Sequence, residues 1–114
     1  MKYIMKVRMS KEGGNNNLRD PEFGKKMQEA LAEVNAEAAY FTTIDGNRGG
    51  YIIVNMDNAS QMAAFAEPFF HWMDAEIEFL PVMTPEDLAK AAPAIEKAVR
   101  KWGAYSERYS GVNA

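Results

Sequence analysis

The run Tyr51-Ile52-Ile53-Val54-Asn55-Met56 is apolar on both faces of what reads as a strand. Such a strand needs neighbours at both edges and cover above and below, so it belongs in the middle of a sheet. Just before it, Asp45-Gly46-Asn47-Arg48-Gly49-Gly50 separates it from Ala38 to Ile44, a run rich in aromatic and β-branched residues. Asp-Gly between two such runs signals a hairpin, because both turn positions take positive φ. The glycines around Arg48 superficially resemble a phosphate loop, but the flanking strands explain them better as part of this hairpin.

The remaining pattern supplies the partners. Lys2 to Met9 has period two, with Tyr3, Met5, Val7 and Met9 on one side and Lys2, Ile4, Lys6 and Arg8 on the other, as a strand requires. Lys11 to Asn17 is polar and glycine-containing, and reads as a mobile loop. Asp20-Pro21 opens a helix whose stripe is Phe23, Met27, Ala30, Leu31 and Val34. Asp57 to Ser60 offers caps for a second helix with stripe Met62, Phe65, Ala66 and Phe69, which Pro68 should kink or end. Ala75 to Met83 alternates again as a fourth strand. Thr84-Pro85-Glu86-Asp87 starts a third helix, lined by Leu88, Ile95, Val99 and Trp102, with Gly103 as its stop and residues 104–114 as a polar tail.

The expected order is thus β-α-β-β-α-β plus a C-terminal helix: an α+β, ferredoxin-like domain over residues 1–103, with a four-stranded antiparallel sheet. A chain of 114 residues with 47% hydrophobic and 25% charged residues suits one such domain. A net charge of −3 argues against nucleic acid or an anionic membrane as partner. The lack of cysteine removes disulfides, thiolate nucleophiles and cysteine-ligated metals. No signal peptide or spanning segment is legible, so the cytoplasm is the expected compartment.

The helices should cover the sheet face that carries Met5, Val7, Phe41, Ile52, Val54, Ile77 and Phe79. The other face then presents Ile4, Lys6, Arg8, Tyr40, Thr42, Tyr51, Ile53, Glu76, Glu78 and Leu80. It is too apolar for open water and too charged for a dry monomer core. Burial against a second copy of the sheet resolves both objections and predicts a homodimer.

The element order, the length and this mixed face resemble the dimeric α+β-barrel superfamily, which includes muconolactone isomerase-like and antibiotic-biosynthesis monooxygenase-like proteins. Glu37-Ala38-Ala39-Tyr40-Phe41-Thr42, Ala66-Glu67-Pro68-Phe69-Phe70 and Pro81 to Leu88 resemble, more narrowly, a microbial family of uncharacterised function within it. The resemblance spans roughly residues 1–103. It implies a homodimer with sheets face to face and a small organic ligand held between sheet and helices without a cofactor. It carries no catalytic motif.

Two functional readings follow: a small-molecule-binding dimer, or a cofactor-independent isomerase, lyase or monooxygenase acting on a small hydrophobic or aromatic compound. A structural or partner-binding dimer without ligand is a third. His71 is the only histidine, and the only side chain that ordinarily titrates near neutrality. Glu67, four residues before it, and Asp74, three after, could orient it as a general base. The same trio is a weak metal signal, with two carboxylates and a single imidazole. Phe69, Trp72, Met27 and Phe65 are the expected ligand-contacting residues; methionine in particular adapts to varied apolar shapes.

Overall fold

The computed structural model describes the backbone of residues 1–113, and side chains through residue 105. Two compact units form, Met1–Val82 and Met83–Ala114. The first contains β1 (Lys2–Met9), α1 (Lys11–Leu18), α2 (Phe23–Glu33), β2 (Ala38–Ile44), β3 (Asn47–Asn55), α3 (Gln61–Met73) and β4 (Ala75–Pro81). The second contains one helix, α4 (Pro85–Asn113).

The sheet is antiparallel throughout, in the order β2-β3-β1-β4. The strand that is apolar on both faces therefore lies inside, as its composition demands. Asp45 and Gly46 take φ of 48° and 82° and join β2 to β3 in a two-residue turn, with Ile44 opposite Asn47. Alternation then sorts the side chains. Met5, Val7, Met9, Ile52 and Val54 pack with Ala30, Val34, Phe69 and Met73 in one buried cluster. Each large apolar side chain buried there contributes roughly 1.5–3 kcal/mol.

Three expectations are corrected. The segment Lys11–Asn17 is helical, so the order is β-α-α-β-β-α-β-α. Ser10 caps α1 in an extended conformation, its hydroxyl accepting from the Gly13 N–H at 2.9 Å. What α1 buries is backbone. A Cβ on Gly13 would stand 2.4 Å from the Met73 carbonyl oxygen, and buried Gly14 lies against Arg48 and Met9. The Asn17 side-chain amide donates to the Gly13 and Trp72 carbonyls at 2.7 and 3.1 Å. A helix that packs through glycines leaves no apolar stripe in the sequence.

Second, α3 does not end at Pro68 but continues to Met73, and Asp74 closes it in the left-handed conformation (φ 49°, ψ 48°). Its buried stripe, Ala66, Phe69 and Met73, runs on both sides of the proline, and that packing offsets the missing N–H. Third, Gly103 does not stop α4, which extends to Asn113. Gly103 lacks the positive φ of a glycine cap. The tail expected from residue 104 is therefore helical as far as 113; side chains beyond 105, and residue 114, lie outside the described residues.

Within its own unit α4 begins with a reciprocal cap. The Thr84 N–H donates to Asp87 Oδ2 at 3.0 Å, and the Asp87 N–H donates to Thr84 Oγ1 at 3.1 Å. Leu88, Ile95, Val99 and Trp102 recur along one side. A lone helix has nothing of its own to bury such a stripe against. No helix among the described residues is long and apolar enough to cross a membrane.

Candidate functional site

Helical cover over the sheet thins toward β2. On the helix-facing side Ile52 and Gly50 of β3 are buried, while their neighbour Phe41 on β2 is 65% exposed. The uncovered corner is a cleft of about 410 Å³, within the range of small-molecule sites. Its floor is Val7 and Met9 of β1 with Gly50 and Ile52 of β3; Phe69 and Met73 of α3 close its inner end. Leu18 at the end of α1 and Phe23, Gly24 and Met27 of α2 form one wall, and Phe41 and Thr42 of β2 form the other.

Local sequence explains the open shape. Phe23 and Met27 are one helical turn apart on α2 and face the sheet together. Gly50 leaves the floor flat beside Phe41: a Cβ there would stand 3.4 Å from Phe41 Cδ1 and 2.6 Å from the Tyr40 carbonyl oxygen. One lining residue is ionisable. Arg48 has the same strand parity as Gly50 and Ile52, so it points to the helix-facing side, where it reaches α1 and donates from Nη1 to Asn15 Oδ1 at 2.8 Å.

Of the four residues expected to contact a ligand, Met27 and Phe69 line the cleft. Trp72 stands behind it, its ring 5.5 Å from Phe23 and 6.3 Å from Phe69 between centroids, and its buried indole N–H has no partner among the described residues. Phe65 is half-buried against the core and does not line the cleft.

The proposed catalytic trio lies elsewhere. His71 is in the last turn of α3 with 81% of its side chain exposed, and its Nε2 is 3.0 Å from Glu67 Oε2. The helical spacing thus brings Glu67 and His71 together. Asp74, in its left-handed cap, makes no hydrogen bond with them and packs toward Gly13. None of the three lines the cleft. No cluster of three His, Asp or Glu side chains suited to a metal ion occurs among the described residues.

The far face of the sheet has the register expected from the alternation. Lys6 lies between Glu78 and Tyr51, with Tyr40 beyond; Ile4 lies between Leu80 and Ile53. Lys6 Nζ is 3.6 Å from Glu78 Oε2, and Arg8 Nη1 is 3.1 Å from Glu76 Oε2. Arg8 also donates from Nε to the Ile44 carbonyl at 3.0 Å and from Nη2 to the Asp45 carbonyl at 3.2 Å, which ties β1 to the hairpin end. Tyr40 and Leu80 on this face are 64% and 39% exposed.

The other lining residues were not expected as ligand contacts, among them Phe23 and Phe41, read only as core, and Leu18, Gly24 and Arg48. Leu18 and Arg48 are placed by α1, read from sequence as a loop, although Ser10 followed by Glu12 in the first turn is a helix-start signal.

A family described as a domain of unknown function (DUF3303) matches residues 1–104, and the chain belongs to it. No curated protein and no solved structure matches the chain.

Proposed function

We propose that this member of the DUF3303 family binds a small apolar or aromatic molecule in the cleft between sheet and helices, as a homodimer of the dimeric α+β-barrel type. One observation carries the binding reading: a cleft of about 410 Å³ whose lining is almost wholly apolar, rich in the adaptable side chains Met9, Met27 and Met73 beside Phe23, Phe41 and Phe69. A concave, mainly apolar cleft of this size is the default candidate for a ligand site. The lining contains no carboxylate or imidazole, so it supports binding rather than proton transfer.

The dimer reading rests on the far face. Ile4, Ile53 and Leu80 form an aliphatic row beside a row of charges and tyrosines. The ion pairs there are already satisfied within one chain. A second copy can therefore bury the aliphatic row without stranding a charge.

The test of binding is calorimetric titration with benzyl alcohol and related small aromatics, on the native chain and on Met27→Trp. Saturable binding by the native chain, lost when the indole fills the cleft, is the expected result. Binding that Met27→Trp leaves unchanged would place the ligand elsewhere.

A further inference from the structure

We infer that the cleft selects a monocarboxylate: an aromatic or aliphatic body on the apolar floor, with its carboxylate held at the mouth by Arg48. This rests on the binding reading above and adds the class of ligand. The first observation is charge. Of the four cations on the sheet, Lys2, Lys6 and Arg8 each pair with a carboxylate, whereas Arg48 pairs with none. It is also the one ionisable group in the lining. An apolar cleft that carries a single cation complements a single anion joined to an apolar body.

The second observation is geometry. A guanidinium has five N–H donors, and the one hydrogen bond that the Arg48 side chain makes among the described residues, from Nη1 to Asn15 Oδ1, fixes the group's position while leaving the others available. Gly14 makes room for this: a Cβ there would lie 3.1 Å from Nη1. The head group is thus anchored over α1, and its planar fork suits the two oxygens of a carboxylate. A phosphate dianion fits less well, since the lining offers no second cation and is otherwise almost wholly apolar.

The probes are 3-phenylpropionate and its neutral isostere 3-phenylpropanamide, each titrated at low ionic strength into the native chain, Arg48→Gln and Asn15→Ala. Circular dichroism confirms that each variant is folded. For the native chain the acid should bind about tenfold more tightly than the amide, the effect of one charged hydrogen bond at a partly solvated site. Arg48→Gln should abolish that preference, bringing the affinity for the acid down to that for the amide. Asn15→Ala, which removes the anchor but keeps the charge, should retain a preference for the acid. If acid and amide bind the native chain equally, or if Arg48→Gln keeps the preference, the role of Arg48 is overturned while the cleft stands. If neither probe binds the native chain, both readings fall.

Discussion

Gly13→Ala pits two effects of opposite sign against each other. On helix propensity alone the substitution should stabilise α1, since alanine is favoured over glycine by roughly 0.8–1 kcal/mol in a helix interior. Packing opposes it. The new Cβ would stand 2.4 Å from the Met73 carbonyl oxygen, 2.8 Å from Ser10 Oγ and 3.1 Å from Asp74 Cβ. The closest of these is backbone at the end of α3, which has no rotamer to change, so α1 must retreat. Overpacking of this kind costs about 1–3 kcal/mol. Retreat also lengthens the Asn17 bond to the Trp72 carbonyl and the Ser10 N–H bond to the Asp74 carbonyl, each contributing about 0.5–1.5 kcal/mol. Packing wins, and the expected net loss is roughly 1–5 kcal/mol when these ranges are combined. Gly24→Ala is the control, because a Cβ there meets nothing within 4 Å; it should be neutral or stabilising by up to about 1 kcal/mol. Urea unfolding at unchanged slope measures both. If Gly13→Ala stabilises the chain as much as Gly24→Ala does, the close docking of α1 on α3 is wrong.

If two copies pair through the far face as proposed, the native chain should scatter as a dimer and Ile53→Asp as a monomer of 12.8 kDa, because an unpaired carboxylate would be buried at the aliphatic row; a native chain that scatters as a monomer, or a dimer that survives the change, refutes this pairing. Asp87 is held below the ordinary carboxylate range, first by the hydrogen bond from the Thr84 N–H and then by the Thr84 side chain. A lowered folded-state pKa adds stability that is present above the unfolded value and lost as pH falls through the folded one. Acid titration of α4 helicity by circular dichroism should therefore show a loss at the acid end that Asp87→Asn flattens; an unaltered profile in the variant argues against the cap. His71→Gln should leave ligand affinity in the cleft unchanged, since His71 does not line it, and a loss of affinity would restore it to the site.

The sheet was legible because side-chain period and turn chemistry are local. The two-sided apolarity of Tyr51–Met56, the Asp45-Gly46 turn and the alternation of Lys6 and Arg8 with their neighbours together set strand order and register. Two of the four residues expected to contact a ligand, Met27 and Phe69, do line the cleft, because they stand on apolar stripes that must face the sheet. What could not be read is what depends on close backbone approach. Gly13 and Gly14 dock α1 without displaying a stripe, and that docking brings Leu18 and Arg48 to the mouth of the cleft. The attention drawn to His71 followed residue type rather than position. Its ring extends from the outward side of the last turn of α3, whereas Phe69 and Met73, one turn apart on the opposite side, point inward.

The methionine methyl groups report on the central claim directly. Met9, Met27 and Met73 line the cleft, whereas Met62 and Met83 are exposed elsewhere in the chain. With carbon-13 in the methionine methyls, titration with 3-phenylpropionate should shift the Met9, Met27 and Met73 resonances saturably and together, leaving Met62 and Met83 in place. Shifts confined to Met62 or Met83, or no saturable shift at any methyl, would contradict a ligand site in this cleft.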